Sequence, residues 1–105
     1  MANPSQDPGG KAAPLAVRHC PAARRFQVDT GGGRAVLAYE LREQTVAFTH
    51  TEVPEPLRGR GIAEALVRAG FAWAERQGLR VEPRCSYVAR FIGRNREFQS
   101  LLKLR

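Results

Sequence analysis

Apolar and polar positions along the chain change period near residue 60, and that change divides the sequence into two kinds of structure. Before it, the period is close to two. Phe26 and Val28 alternate with polar neighbours over 25–30, which predicts a half-buried strand. Leu15 to His19 suggests a short strand ahead of it, stopped by Pro21, and Gly31-Gly32-Gly33 supplies the turn behind it. A longer apolar-rich strand is predicted over 34–41. Arg42-Glu43-Gln44 then leads to a strand over 45–53, in which Val46 and Phe48 share a face and Val53 falls on the other. A β-bulge between Phe48 and Val53 reconciles the two and bends the strand. The expectation is an antiparallel meander.

From Arg60 to Gln77 the period becomes helical. Ile62, Leu66, Ala69/Gly70 and Trp73 form one stripe, with Val67, Phe71 and Ala74 beside it. Glu64, Arg68 and Glu75 mark the solvent side, and Gly78 stands where a left-handed helix stop belongs. A short strand is predicted over 79–84. Strand, helix and strand at this length make a right-handed βαβ crossover, so that strand should run parallel to 45–53, with Pro83 at an edge. Ser86 is the expected N-cap of a helix over 87–92 that Gly93 stops. Asn95 is the expected cap of a last helix whose apolar face is Phe98, Leu101 and Leu102. The fold class is therefore α+β: a mixed, mostly antiparallel sheet, one central helix in a βαβ crossover, and short C-terminal helices. Residues 1–14, with three Pro and two Gly, read as a flexible tail ahead of a single domain over 15–105.

Composition narrows the function classes. At 105 residues and 43% hydrophobic content the chain suits one globular domain. No stretch approaches the roughly 18–20 apolar residues of a membrane helix, and the first residues have neither a basic nor an apolar leader segment. A cytoplasmic protein with no membrane partner is expected. The net charge of +7 comes from fifteen Arg against two Lys. Arginine favours fixed, forked contacts to phosphate or carboxylate, so a polyanion such as RNA stays open as a partner. Cys20, Cys85, His19 and His50 fit no metal-binding spacing, and no metal is expected.

The junction at the change of period carries the first candidate chemistry. Val53-Pro54-Glu55-Pro56-Leu57 leaves the last strand, and Arg58-Gly59-Arg60-Gly61 opens the helix at Ile62-Ala63. Two glycines let a ligand approach backbone N–H groups closely. Those groups lie at the positive end of the helix dipole, and Arg58 and Arg60 add charge. The expectation is an anion site, suited to a pyrophosphate; the alternative for a glycine pair of this kind is a tight loop-to-helix turn alone.

These residues resemble motif A of the GCN5-related N-acetyltransferases. Residues 15–105 are more closely similar to the small, truncated acetyltransferase-like family, through His50-Thr51-Glu52-Val53-Pro54, Arg58-Gly59-Arg60-Gly61-Ile62-Ala63 and Cys85-Ser86-Tyr87-Val88. The resemblance implies acetyl-coenzyme A as donor, held where the parallel strands splay apart, and an amine acceptor. Thr51 and Val53 would meet the pantetheine, and Arg58, Gly59, Arg60, Gly61, Ile62 and Ala63 the pyrophosphate. Phe91 and Asn95 would line the pantetheine or adenine end. Larger members have two helices between their first two strands. Only Pro21-Ala22-Ala23 lies there in this chain, so the acceptor site must be open or built differently, and the amine stays unidentified.

Acetyl transfer needs a nucleophile, a base and an acid for the departing thiolate. Cys85, after a parallel strand and before a helix, could take the acetyl group as an S-acetyl intermediate, with Arg84 and the helix dipole lowering its pKa. The bland alternative is a small buried apolar residue. His50, expected to face Cys85, is the candidate base, and Tyr87 the candidate acid. Glu52 reads instead as an ion-pair partner of Arg58. The leading expectation is an acetyl-coenzyme A-dependent N-acetyltransferase, acting as a monomer and transferring acetyl to an amine by direct attack or through Cys85. The first alternative is a coenzyme A-binding module without turnover. The second is a basic nucleic-acid-binding domain, for which Phe26, Tyr39, Tyr87 and Phe91 are the available stacking aromatics.

Overall fold

The computed structural model describes residues 16–102. The tail expected over 1–14 and the start of the first strand at Leu15 lie outside them. Five strands form one sheet in the order β1-β2-β3-β4-β5: Arg18–Cys20, Arg25–Thr30, Gly33–Arg42, Thr45–Glu52 and Arg80–Pro83. The first four are antiparallel, and β5 lies parallel to β4 at the edge, where Pro83 is tolerated. The α+β class and the crossover agree with the sequence pattern. Between β1 and β2 stands only a 3₁₀ turn, Pro21–Ala23.

Helix α1, Ile62–Gln77, covers one face of the sheet. Its entry and exit are both set by glycine. Gly61 takes φ 78° at the N-cap, so the helix begins two residues later than the apolar period alone suggests. Gly78 takes φ 71° and closes the last turn onto Ala74 and Glu75 carbonyls. Gly70 brings α1 close to the sheet: a Cβ there would lie 3.0 Å from Phe48 and 3.2 Å from Leu37. Phe48, Phe71, Leu37, Leu66, Val46 and Val81 are fully buried in this layer. Each contributes about 1.5–3 kcal/mol by leaving water.

Helix α2 spans Ser86–Arg94, through Gly93 rather than stopping at it. Glycine inside a helix costs only about 1 kcal/mol, and buried Val88, Phe91 and Ile92 hold the turn in place. The helix stops at Asn95, whose Nδ2 donates to the Phe91 carbonyl at 2.9 Å. The last segment, Arg96–Leu101, is a 3₁₀ stretch, after which Leu102 bridges Val81 in parallel.

The expected bulge falls at Thr49. Tyr39 pairs with Phe48 and Ala38 with His50, so Thr49 has no partner on β3. An extra residue exchanges the two faces of the strand beyond it. Phe48 points into the core, and after the bulge Thr51, opposite buried Leu37, returns to that side. His50, opposite Ala38, and Glu52, opposite Val36, fall on the other face.

Among the described residues no helix covers that second face, which is polar. Buried Gln27 accepts from Arg25 Nε at 2.7 Å and from the Cys20 thiol at 3.4 Å, and donates to Asp29 at 2.8 Å. Arg34 closes the row on Asp29 at 2.6 Å. Towards the other edge, Arg84 approaches Glu40 at 3.7 Å and Glu82 at 3.9 Å.

Candidate active site

Strands β4 and β5 pair only as far as Phe48 and Pro83. Beyond that point the N–H groups of Arg84 and Cys85 both reach the Phe48 carbonyl, at 3.1 and 3.0 Å, and the chain turns away into α2. The remainder of β4 has no strand beside it on that edge. The parallel pair therefore opens as a wedge, with Thr51 and Val53 on one wall and the start of α2 on the other.

At the mouth of the wedge lies a cleft of about 210 Å³, lined by Val53, Leu57, Arg58, Gly59, Gly61, Ile62, Ala63, Glu64 and Tyr87. A complete small-molecule site occupies roughly 300–1,000 Å³. The cleft thus suits part of a long ligand rather than the whole. Gly59 and Gly61 adopt φ 81° and 78°, and a Cβ on either would meet nothing within 4 Å. No protein atom requires glycine there. The left-handed backbone does, and the space left is open for a ligand to reach main-chain amides. The first intrahelical bond of α1 runs from Ala65 N–H to the Gly61 carbonyl, so the amides of Ile62, Ala63 and Glu64 precede the helical ladder. These features fit a pyrophosphate.

Two lining residues escaped the sequence reading. Leu57, 2% exposed, plugs the turn from below and packs near Gly32. Glu64 brings a carboxylate to the rim, but Arg68 Nε pairs with it at 2.9 Å. Its position one turn into the helix was visible in sequence, yet nothing marked it as facing the cleft. Arg58 is not the partner of Glu52: its Nε donates to the Val53 carbonyl at 2.9 Å and ties the turn to the strand end. Glu52 instead approaches His50 at 3.5 Å. Arg60 is exposed beside the glycines and does not line the cleft.

Deeper in the wedge, Cys85 is half-buried, with its Sγ 3.3 Å from Thr51 Oγ1. Cys85 itself, not Ser86, occupies the N-cap position of α2, in extended conformation (φ −87°, ψ 136°). The thiol closes no full capping bond, but the amides of Val88 and Tyr87 point towards it. Burial pushes the thiol pKa up. Hydrogen bonding from the Thr51 side chain and from the amides of Val88, Tyr87 and Thr51 outweighs that and brings it below the ordinary value. Arg84, expected to assist, takes no part, because its guanidinium turns to Glu40 and Glu82.

His50 does not face Cys85. The bulge at Thr49 puts its imidazole on the open face with Glu52, whereas Cys85 packs against the core on the helix side. Tyr87 lies on the helix side and lines the cleft. Burial and the nearby Glu64 carboxylate hold its phenol above the ordinary pKa, against the pull of Arg94 and Arg90. It stays a proton donor across neutral pH. Phe91, 2% exposed, packs with Phe71 and Phe98 and offers no face to a ligand. Asn95 is engaged by Phe91 and, at 3.5 Å, by Arg68. The same burial removes Phe26 and Tyr39, 2% and 3% exposed, as platforms for nucleic-acid bases. Among the described residues no group of three or more His, Cys, Asp or Glu could hold a metal ion, and no helix is long and apolar enough to cross a membrane.

Comparison with known proteins shows the family and the fold. The model of the GCN5-related N-acetyl-transferase family matches residues 25–101. Protein NATD1 of Bos taurus is 38% identical over 88 residues, covering 81% of this chain and 78% of that protein. Protein NATD1 of Xenopus tropicalis is 35% identical over 98 residues, 90% of each chain. A GCN5-like protein of Staphylococcus aureus, solved in solution by NMR, superposes with a TM-score of 0.69 over 87% of this chain and 91% of its own. At 21% identity that likeness speaks for the fold alone. The chain belongs to the GCN5-related N-acetyltransferase family, whose members typically use acetyl-coenzyme A.

Proposed function

We propose that the protein binds acetyl-coenzyme A in the wedge and transfers its acetyl group to an amine through Cys85. The observation that carries this reading is the Cys85 sulfur, held among hydrogen-bond donors on the same side of the sheet as the glycine-lined cleft. The donor, when bound, supplies a thioester. The amides at the start of α1 would take its pyrophosphate, with Gly59 and Gly61 permitting close approach. The Cys85 thiolate would attack the acetyl carbonyl, forming a new carbon–sulfur bond as the original one breaks. Tyr87 would give its phenolic proton to the departing thiolate. An amine would then attack S-acetyl-Cys85, its carbon–nitrogen bond forming as the carbon–sulfur bond breaks; Cys85 would leave as the thiolate it began as, and the amine's proton would restore the Tyr87 phenol. His50 is not needed for the first step, since Thr51 and the amides already favour the thiolate.

The test combines calorimetric titration with coenzyme A and acetyl-coenzyme A and intact-mass measurement after incubation with the acetyl donor. Binding plus an acetyl adduct that Cys85→Ala abolishes is the expected result. An equal rate of amine acetylation in Cys85→Ala would reduce the mechanism to direct attack. Absence of binding at millimolar ligand would overturn the assignment altogether. One observation favours a second reading, a coenzyme A-binding module without turnover. Only Pro21–Ala23 separates β1 from β2, so nothing in that connection shapes an acceptor pocket. Binding without any adduct or acetylated amine would select it.

A further inference from the structure

The wedge contains one polar side chain whose position the anion site does not explain. Thr51 is the β4 residue that the bulge returns to the core side, opposite buried Leu37, where an apolar side chain would pack equally well. Its hydroxyl instead meets Cys85 Sγ at 3.3 Å. Cys85 is fixed from the other direction, since its own amide is bonded to the Phe48 carbonyl at 3.0 Å. Strand and helix N-terminus thus converge on one sulfur atom.

From this geometry we infer that Thr51 is a positioning residue for Cys85, aiming its sulfur into the wedge and donating a hydrogen bond to it as a thiolate. The inference rests on the proposed acetyl transfer through Cys85 and identifies what prepares the nucleophile. Among the described residues no ion pair supplies such help to Cys85. On β5 and beyond, Arg84 is drawn to Glu40 and Glu82. On β4, His50 and Glu52 face away. On α2, Tyr87 is a neutral phenol and offers its amide. What remains around the sulfur is one hydroxyl and the amides of Thr51, Tyr87 and Val88, all donors and none charged. A hydrogen bond to an ionised group is roughly twice as strong as a neutral one, so each donor favours the thiolate. The Thr51 hydroxyl is the single member of this set that a substitution can remove without breaking the backbone. Its β-branching limits rotation of the side chain in a strand.

The test uses the whole chain without an acetyl donor. Alkylation of Cys85 by iodoacetamide is followed against pH, with the modified peptide identified by mass so that Cys20 does not contribute. Thr51→Val keeps the shape and removes the hydroxyl. Its midpoint is expected to rise by about one pH unit, a roughly tenfold loss of thiolate near neutrality. Thr51→Ser should restore the wild-type midpoint. A Thr51→Val profile coincident with wild type would overturn the inference, as would a Thr51→Ser profile displaced equally far. If Thr51→Val does not fold, Thr51→Ala replaces it with the same expected shift. Failure of the protein to bind acetyl-coenzyme A would defeat the proposed function but would leave this profile readable, so the two failures are distinct.

Discussion

The two faces of the sheet differ in what covers them and in what they contribute. On the helix side, Phe48, Leu37 and Val46 close against Phe71 and Leu66 with no exposed surface, and Gly70 lets α1 approach without a side chain between. On the other side, from Arg18 across to Glu40 and Arg84, the sheet bears hydrogen bonds around buried Gln27 and exposed ion pairs. Burial without directional bonds builds the stable layer, whereas exposed charges at 3.7–3.9 Å are screened and contribute little. The candidate site lies where the buried layer opens. Its cleft, Cys85 and Tyr87 all belong to the helix side, whereas His50 and Glu52 belong to the open one. A closely packed layer thus lies beneath the Cys85 sulfur, whereas the opposite face is uncovered among the described residues.

The sharpest way to break this contrast is to remove a ring from the buried layer. Phe71→Ala should cost about 3–5 kcal/mol in chemical denaturation, through lost burial and an unfilled cavity. A loss under about 1 kcal/mol would mean that the layer is not packed as described. Next in size is Gly61→Val, which forces a β-branched residue to φ 78° and fills the approach to the α1 amides. Coenzyme A affinity measured by calorimetry should fall about tenfold or more, since strain of this kind is of order 1–3 kcal/mol and the ligand's path is blocked as well. Unchanged affinity would detach the glycine turn from the anion site.

A smaller effect should appear in the pH dependence of stability. His19 stacks on Phe26 at 4.1 Å and bonds to Tyr39 Oη at 2.7 Å. Burial, and secondarily Arg76, holds its imidazole pKa below the ordinary value. The folded state therefore binds fewer protons than the unfolded one. This contribution is complete above the ordinary imidazole pKa, about 6.5, and is lost as the pH falls below it. Thermal melts of His19→Gln should show a flatter acid limb than wild type, and parallel limbs would exclude His19 as the cause. The smallest expected change belongs to the open face. Glu40→Ala should alter stability by no more than about 1 kcal/mol and leave coenzyme A affinity unchanged. A larger loss in denaturation would show that the charged face is part of the stabilising structure.

Much of the architecture was legible because its signals are local. Alternation placed β2, β3 and β4, the 3.6-residue stripe placed α1, and Gly78 marked where that helix ends. The crossover follows from handedness, and Pro83 could only take an edge. The glycine turn was readable for the same reason, since positive φ is a property of the residue itself. Seven of the residues expected around the site line the cleft: Val53, Arg58, Gly59, Gly61, Ile62, Ala63 and Tyr87. Phe91 packs among rings and Asn95 bonds to the Phe91 carbonyl, contacts that a stripe on a short helix does not disclose.

The chain by itself therefore determined the order of elements and the glycine turn that opens α1. Tertiary structure decided which side chains share the wedge. A bulge anywhere between Phe48 and Val53 satisfies the apolar pattern, but only one placed before His50 turns that histidine outward and Thr51 inward. The sequence leaves that choice open, since either position buries the same apolar groups. Pairing with β3 settles it at Thr49, opposite Ala38 and Tyr39. The start of α2 was decided in the same way. Cys85, bonded through its amide to Phe48, became the N-cap in place of Ser86, and so brought its thiol to Thr51 rather than to a charge.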